Sequence, residues 1–87
     1  MYLFVTYDVK QERCSILMKV LRKYLFHINE SFFEGELSEK LFKELKEEIE
    51  DIIDKEYDSV IIYTLPSKKA YHEEILGKIR SDKFILM

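Results

Sequence analysis

The chain has 87 residues, 47% hydrophobic and 36% charged, with a net charge of −3, two glycines, one proline and one cysteine. A chain of this size makes one thin-cored domain that hides roughly 60–65% of the surface its unfolded form exposes, and a lone cysteine excludes an internal disulfide and a CxxC metal or redox motif. No apolar run approaches the roughly 20 residues of a membrane span, and the N-terminus lacks the basic start and small-residue cleavage site of a signal peptide, so the sequence predicts a cytoplasmic protein with no membrane partner.

The run Tyr2 to Tyr7 is continuous, aromatic and β-branched, as in a strand buried on both faces. Leu3, Val5 and Tyr7 then share one face, while Tyr2, Phe4, Thr6 and Asp8 share the other. A helix follows in QERCSILMKVLRKYLF, where Ile16, Leu17, Val20, Leu21, Tyr24 and Leu25 recur at three-to-four spacing and leave Lys19, Arg22 and Lys23 toward water. Cys14 in this helix reads as a small buried side chain. The segment FHINESFFEGEL is extended chain, either kinked or hairpinned near Asn29 to Ser31.

Ser38 stands where an N-cap belongs, ahead of the clearest helix, with Leu41, Phe42, Leu45, Ile49, Ile52 and Ile53 on one face. DSVIIYTLP is a further strand, apolar on both faces and expected to end at Pro66, which has no amide for a ladder. The tail carries YHEEILG and then FILM, enough to add a strand to a sheet edge.

This order predicts one α+β domain over residues 1–87, a ferredoxin-like βαββαβ sandwich with an additional C-terminal strand. Two helices cover only one face of a sheet whose central strands are apolar on both. The sequence therefore predicts a homodimer packed through sheet faces, with residues 67–87 a tail that adds a strand to the partner protomer.

Charge is divided between the two helical regions. Residues 10–23 hold five basic side chains against Glu12 alone, whereas residues 34–58 hold eleven acidic side chains against four lysines. A basic surface able to hold phosphates is compatible with an acidic total.

Few residues suggest chemistry. There is no GxGxxG, P-loop or HExxH motif, and His27 and His72 form no nucleophile constellation. Glu44, Glu47, Glu48 and Asp51 are spaced as the solvated face of a helix. Tyr7, Phe32 and Phe33 are able to stack on bases, but core packing is the stronger reading. Asp8 is either a cap for the helix that follows or, in a two-fold dimer, half of a carboxylate pair that holds a hydrated divalent ion against a phosphate.

The segments YLFVTYDV, KVLRKYL, HINESFFEGEL, DSVIIYTL and EEILGKIRSDKFIL together resemble the small CRISPR-associated nuclease family called Cas-two, the smaller partner in spacer acquisition during antiviral defence. The resemblance spans essentially the whole chain. It implies the ferredoxin-like fold, a homodimer with an exchanged C-terminal strand, and Mg²⁺ or Mn²⁺ at Asp8 as the catalytic and metal-binding carboxylate. It further implies endonuclease activity on single-stranded RNA or double-stranded DNA, and a bridging role toward a larger CRISPR integrase subunit. Tyr7, Arg13, Ser31 and Phe33 match positions near the family's cleft, with Arg13 as a phosphate contact. The chain departs from the family at His27, Ile28 and Asn29, where many members read Arg-Val-Gln, and at Leu25, where many have glycine. The readings that follow are a metal-dependent endonuclease, a non-catalytic dimeric adaptor that holds protospacer DNA, and, more distantly, an RNA-cleaving toxin of similar fold.

Overall fold

The computed structural model describes residues 1–67 and 70–78. Along the chain run β1 (Tyr2–Asp8), α1 (Gln11–Tyr24), β2 (Phe26–Asn29), β3 (Phe32–Glu36), α2 (Glu39–Ile52), β4 (Ser59–Ser67) and β5 (Ala70–Gly77). The five strands form one sheet in the order β2-β3-β1-β4-β5, every neighbouring pair antiparallel. The first four strands and two helices are the ferredoxin-like α+β fold that the order of elements predicts, and β5 extends the sheet beside β4.

Burial alternates along β1 as its pleat requires: Leu3, Val5 and Tyr7 are buried, Phe4 and Thr6 half-buried, and Asp8 exposed. The buried set packs with Leu17, Val20 and Leu21 of α1, with Phe42, Leu45 and Ile49 of α2, and with Phe33, Val60 and Ile62 of the flanking strands. Ser38 caps α2 through its Oγ, which accepts from the Leu41 amide at 3.2 Å. Ile16 and Leu41, expected on the apolar helix faces, are exposed instead. The sheet meets a narrower stripe of each helix than the sequence spacing suggests, and both residues lie at its margin. Cys14 is half-buried, its thiol donating to the Val9 carbonyl at 3.7 Å.

Residues 26–36 are a hairpin, not one bent strand. Glu30 and Ser31 make its turn, with Glu30 in the left-handed region at φ 38°. A register shift between His27 and Asn29 leaves Ile28 as an irregularity on the outer strand, the kind of bulge that blunts an open sheet edge.

Pro66 does not end β4, which continues to Ser67. The register against β5 slips between Thr64 and Ser67, and on the other side β1 begins at Tyr2, opposite Leu65. The proline thus falls where neither ladder asks for its amide. Of the 67–87 tail, residues 70–77 pair with β4 of the same chain. Residues 79–87, with the closing FILM that the exchanged-strand expectation includes, lie outside the described residues. No described helix is long and apolar enough to cross a membrane.

Candidate functional site

Asp8 is exposed at the last position of β1, on the face turned away from the helices, and is paired in register with Ser59 of β4. It is not the helix cap: the N-cap of α1 is Lys10, which makes no side-chain cap bond. The start of that helix is held from a distance. Asp58, fully buried just before β4, accepts from the Lys10 amide at 3.0 Å, from the Asp54 amide at 2.8 Å, and from Arg13 Nε and Nη2 at 2.5 and 3.0 Å.

Burial by itself would push the Asp58 carboxyl up. The Arg13 guanidinium and the two amides outweigh it and hold the group at about 2, below its ordinary 3.8. The same hydrogen bond to Asp58 raises the Arg13 guanidinium. The Asp58 carbonyl also accepts from the Lys78 amide at 2.6 Å. At Gly77, φ is +98° and a Cβ would stand 2.3 Å from that carbonyl oxygen, so only glycine fits the approach. One residue therefore ties together the first turn of α1, the loop after α2 and the end of β5. The sequence reading passed over Asp58, although an acid abutting the apolar run SVIIYT was a visible signal.

Arg13 is committed to this bond, its remaining Nη1 lying 3.3 Å from Glu12 Oε2. Tyr7 and Phe33 meet in the helix-side core with ring centroids 6.3 Å apart, and burial is the main cause that pushes the Tyr7 hydroxyl up. His27 stacks on Phe33 at 4.5 Å. Its Nε2 lies 2.6 Å from the Glu30 carbonyl and its Nδ1 lies 3.3 Å from Arg22 Nη2. A carbonyl oxygen only accepts, so Nε2 carries the proton and Nδ1 accepts from Arg22. Ser31 is half-buried in the hairpin turn. The structure thus brings Tyr7 and Phe33 together beneath the helices, sets Arg13 against Asp58, and leaves Asp8 on the opposite face of the sheet.

That opposite face is aromatic. Phe4 stacks on Phe32 with centroids 5.9 Å apart, Tyr2 meets Phe4 edge-on at 5.4 Å, and the Tyr2 hydroxyl donates to Glu34 at 2.9 Å. Tyr63 and Leu65 are half-buried beside them, and Phe26 on the outer strand is 75% exposed. On the outside of α1, Lys19, Arg22 and Lys23 are exposed, Lys23 reaching Glu48 of α2 at 2.8 Å. Among the described residues, no three His, Cys, Asp or Glu side chains gather as a metal site.

Comparison with known proteins agrees with this architecture. The profile of the family described as CRISPR associated protein Cas2 matches residues 1–72. A CRISPR-associated endoribonuclease Cas2 of Thermodesulfovibrio yellowstonii is 43% identical over 76 residues, covering 87% of this chain and 86% of that protein. A crystal structure of a Cas2 protein superposes with a TM-score of 0.75 at 38% identity, covering 100% of this chain and 98% of the other. Streptococcus pyogenes Cas2, crystallised at pH 6.5, gives a TM-score of 0.70 at 31% identity over 79% of this chain and 89% of its own.

Proposed function

The chain belongs to the CRISPR associated protein Cas2 family, and from that premise we propose that it is a divalent-metal-dependent endonuclease of a CRISPR system, acting on RNA or duplex DNA through Asp8. The observation that carries this reading is the place of Asp8: an exposed carboxylate at the end of a rigid central strand, on the sheet face that the helices leave open. Relatives bearing the name endoribonuclease support the class of reaction.

The open face, with Phe4, Phe32, Tyr63 and Leu65 half-buried in one protomer, packs against the same face of a second copy. The two-fold axis then runs near the strand ends and brings two Asp8 carboxylates together. Such a pair fits Mg²⁺ or Mn²⁺, which take hard oxygen ligands from one or two carboxylates and complete their shell with water and phosphate. When bound, the ion supplies charge to the scissile phosphate and a more acidic water. Asp8 binds and orients. The basic outer face of α1, with Lys19, Arg22 and Lys23, attracts the nucleic-acid backbone, while Arg13, engaged by Asp58, positions the β1–α1 corner.

Cleavage of RNA and duplex DNA by wild type and Asp8→Asn, with Mg²⁺, Mn²⁺ or EDTA, tests this directly. The substitution and EDTA should each lower the rate at least about 100-fold. Equal cleavage by both proteins would overturn the reading.

A second reading is favoured by the sparse ligand set: among the described residues no three His, Cys, Asp or Glu side chains gather, and Asp8 is the one carboxylate put forward. In it the dimer is an adaptor that holds DNA while a larger integrase subunit performs the chemistry. Co-elution with that subunit, undisturbed by Asp8→Asn, is its expected signature.

A further inference from the structure

His27 is held so that its one free lone pair meets a cation. Its ring stacks on Phe33 with centroids 4.5 Å apart and planes 12° from parallel. Nε2 donates to the Glu30 carbonyl at 2.6 Å, which leaves Nδ1 as the acceptor, and Arg22 Nη2 lies 3.3 Å from it. The imidazole is thus fixed by β3 and by its own hairpin turn before α1 brings Arg22 to it. In each ion pair of the described residues a carboxylate answers the base: Asp58 and Glu12 answer Arg13, Glu48 answers Lys23, Glu74 answers Lys46 and Glu50 answers Lys55. Among the described residues no ion pair includes Arg22, and the bond it makes is to a neutral ring.

We propose that Arg22 is a direct contact for one phosphodiester of a bound nucleic acid and that His27 is its positioning residue. A guanidinium carries its N–H donors in a planar fork, and the bond to His27 occupies a single one of them. A carboxylate in the place of His27 would hold the arginine and cancel its charge, as Asp58 does for Arg13. The neutral imidazole holds it and leaves the charge in place. The result is an oriented, exposed cation whose remaining N–H groups match two oxygens of a phosphate. Ordering the side chain before the ligand arrives reduces the entropy lost on binding. A contact to phosphate positions the backbone and reads no base, so it serves RNA and DNA alike.

This inference rests on the reading that the chain binds nucleic acid, and the test separates the two. Binding of a fluorescein-labelled single-stranded RNA and of a labelled duplex DNA is followed by anisotropy in EDTA, where metal-dependent cleavage does not intervene, over a range of salt concentrations and with Tm recorded for each variant. Arg22→Gln should weaken both about tenfold or more and reduce the slope of log K against log salt by about 0.7 for the RNA and about 0.9 for the duplex. Arg22→Lys keeps the charge but not the fork, so the slope should hold while affinity falls about threefold or more. His27→Phe keeps a ring on Phe33 but offers no acceptor. It should cost a similar factor alone and nothing further in the Arg22→Gln background, and His27→Asn, whose amide oxygen accepts from near the place of Nδ1, should restore affinity. If His27→Phe binds as wild type, or costs as much in the Arg22→Gln background as alone, the positioning role is overturned. If Arg22→Gln changes neither affinity nor slope, the Arg22 contact is overturned and the nucleic-acid reading stands. If wild type binds neither probe, that reading falls and takes the Arg22 contact with it.

Discussion

The two faces of this sheet end in carboxylates one register step apart and treat them in opposite ways. On the helix side, Asp58 is fully buried and answered by a guanidinium and two amides. On the open side, Asp8 is left at the surface beside a ladder of half-buried aromatics. A buried charge is tolerated only where every lone pair has a donor, so the first carboxylate is structural. An exposed carboxylate meets no comparable desolvation cost, so Asp8 needs no such set of donors to stay charged at the surface.

The largest expected effect breaks the helix side. Asp58→Ala removes the acceptor for Lys10, Asp54 and Arg13 together and should cost about 3 kcal/mol, a fall in Tm of roughly 15 °C. Calorimetry that finds less than about a third of this would mean that the corner is held by other contacts.

Acid titration sharpens the same contrast. Asp58 titrates at about 2 in the folded chain against an ordinary 3.8. Because the folded value is the lower one, its contribution is complete above 3.8 and is lost as pH falls toward 2, amounting to roughly 2 kcal/mol. Urea midpoints measured across that window should fall more steeply for wild type than for Asp58→Asn. Parallel slopes would show that the unfolded chain holds the carboxylate equally well.

The smallest effect on stability belongs to the open face. Phe4→Lys places a charge in the aromatic ladder but not in the core, and should cost the protomer only about 1 kcal/mol while halving the mass seen by light scattering at micromolar concentration. A dimer that survives this change would place the interface elsewhere.

Much of the architecture was legible in local pattern. The alternation in YLFVTYDV separates Leu3, Val5 and Tyr7 from Phe4, Thr6 and Asp8, and the three-to-four spacing before and after the hairpin marks both helices. Ser38 caps where its position says it should. Pro66 misled, because the penalty for proline in a strand depends on whether a neighbour asks for its amide, and here the β5 register slips past it. Ile16 and Leu41 misled because periodicity marks a broad apolar face, whereas contact with the sheet selects a narrower stripe. Asp8 stood out as the acid that ends a buried strand.

By itself the sequence determined the order of elements, the ferredoxin-like class and the singular place of Asp8, because hydrophobic period and chain order are local properties. Only the tertiary structure decided that 26–36 is a hairpin, that the chain entering α1 is held at the Lys10 amide by Asp58 far along the sequence, and that Arg13 is spent on that carboxylate. Each of those depends on groups 45 or more residues apart meeting, or on a backbone conformation at Glu30 that its residue type disfavours. Local propensity carries no information about such meetings, whereas a packed core has to satisfy every charge it encloses.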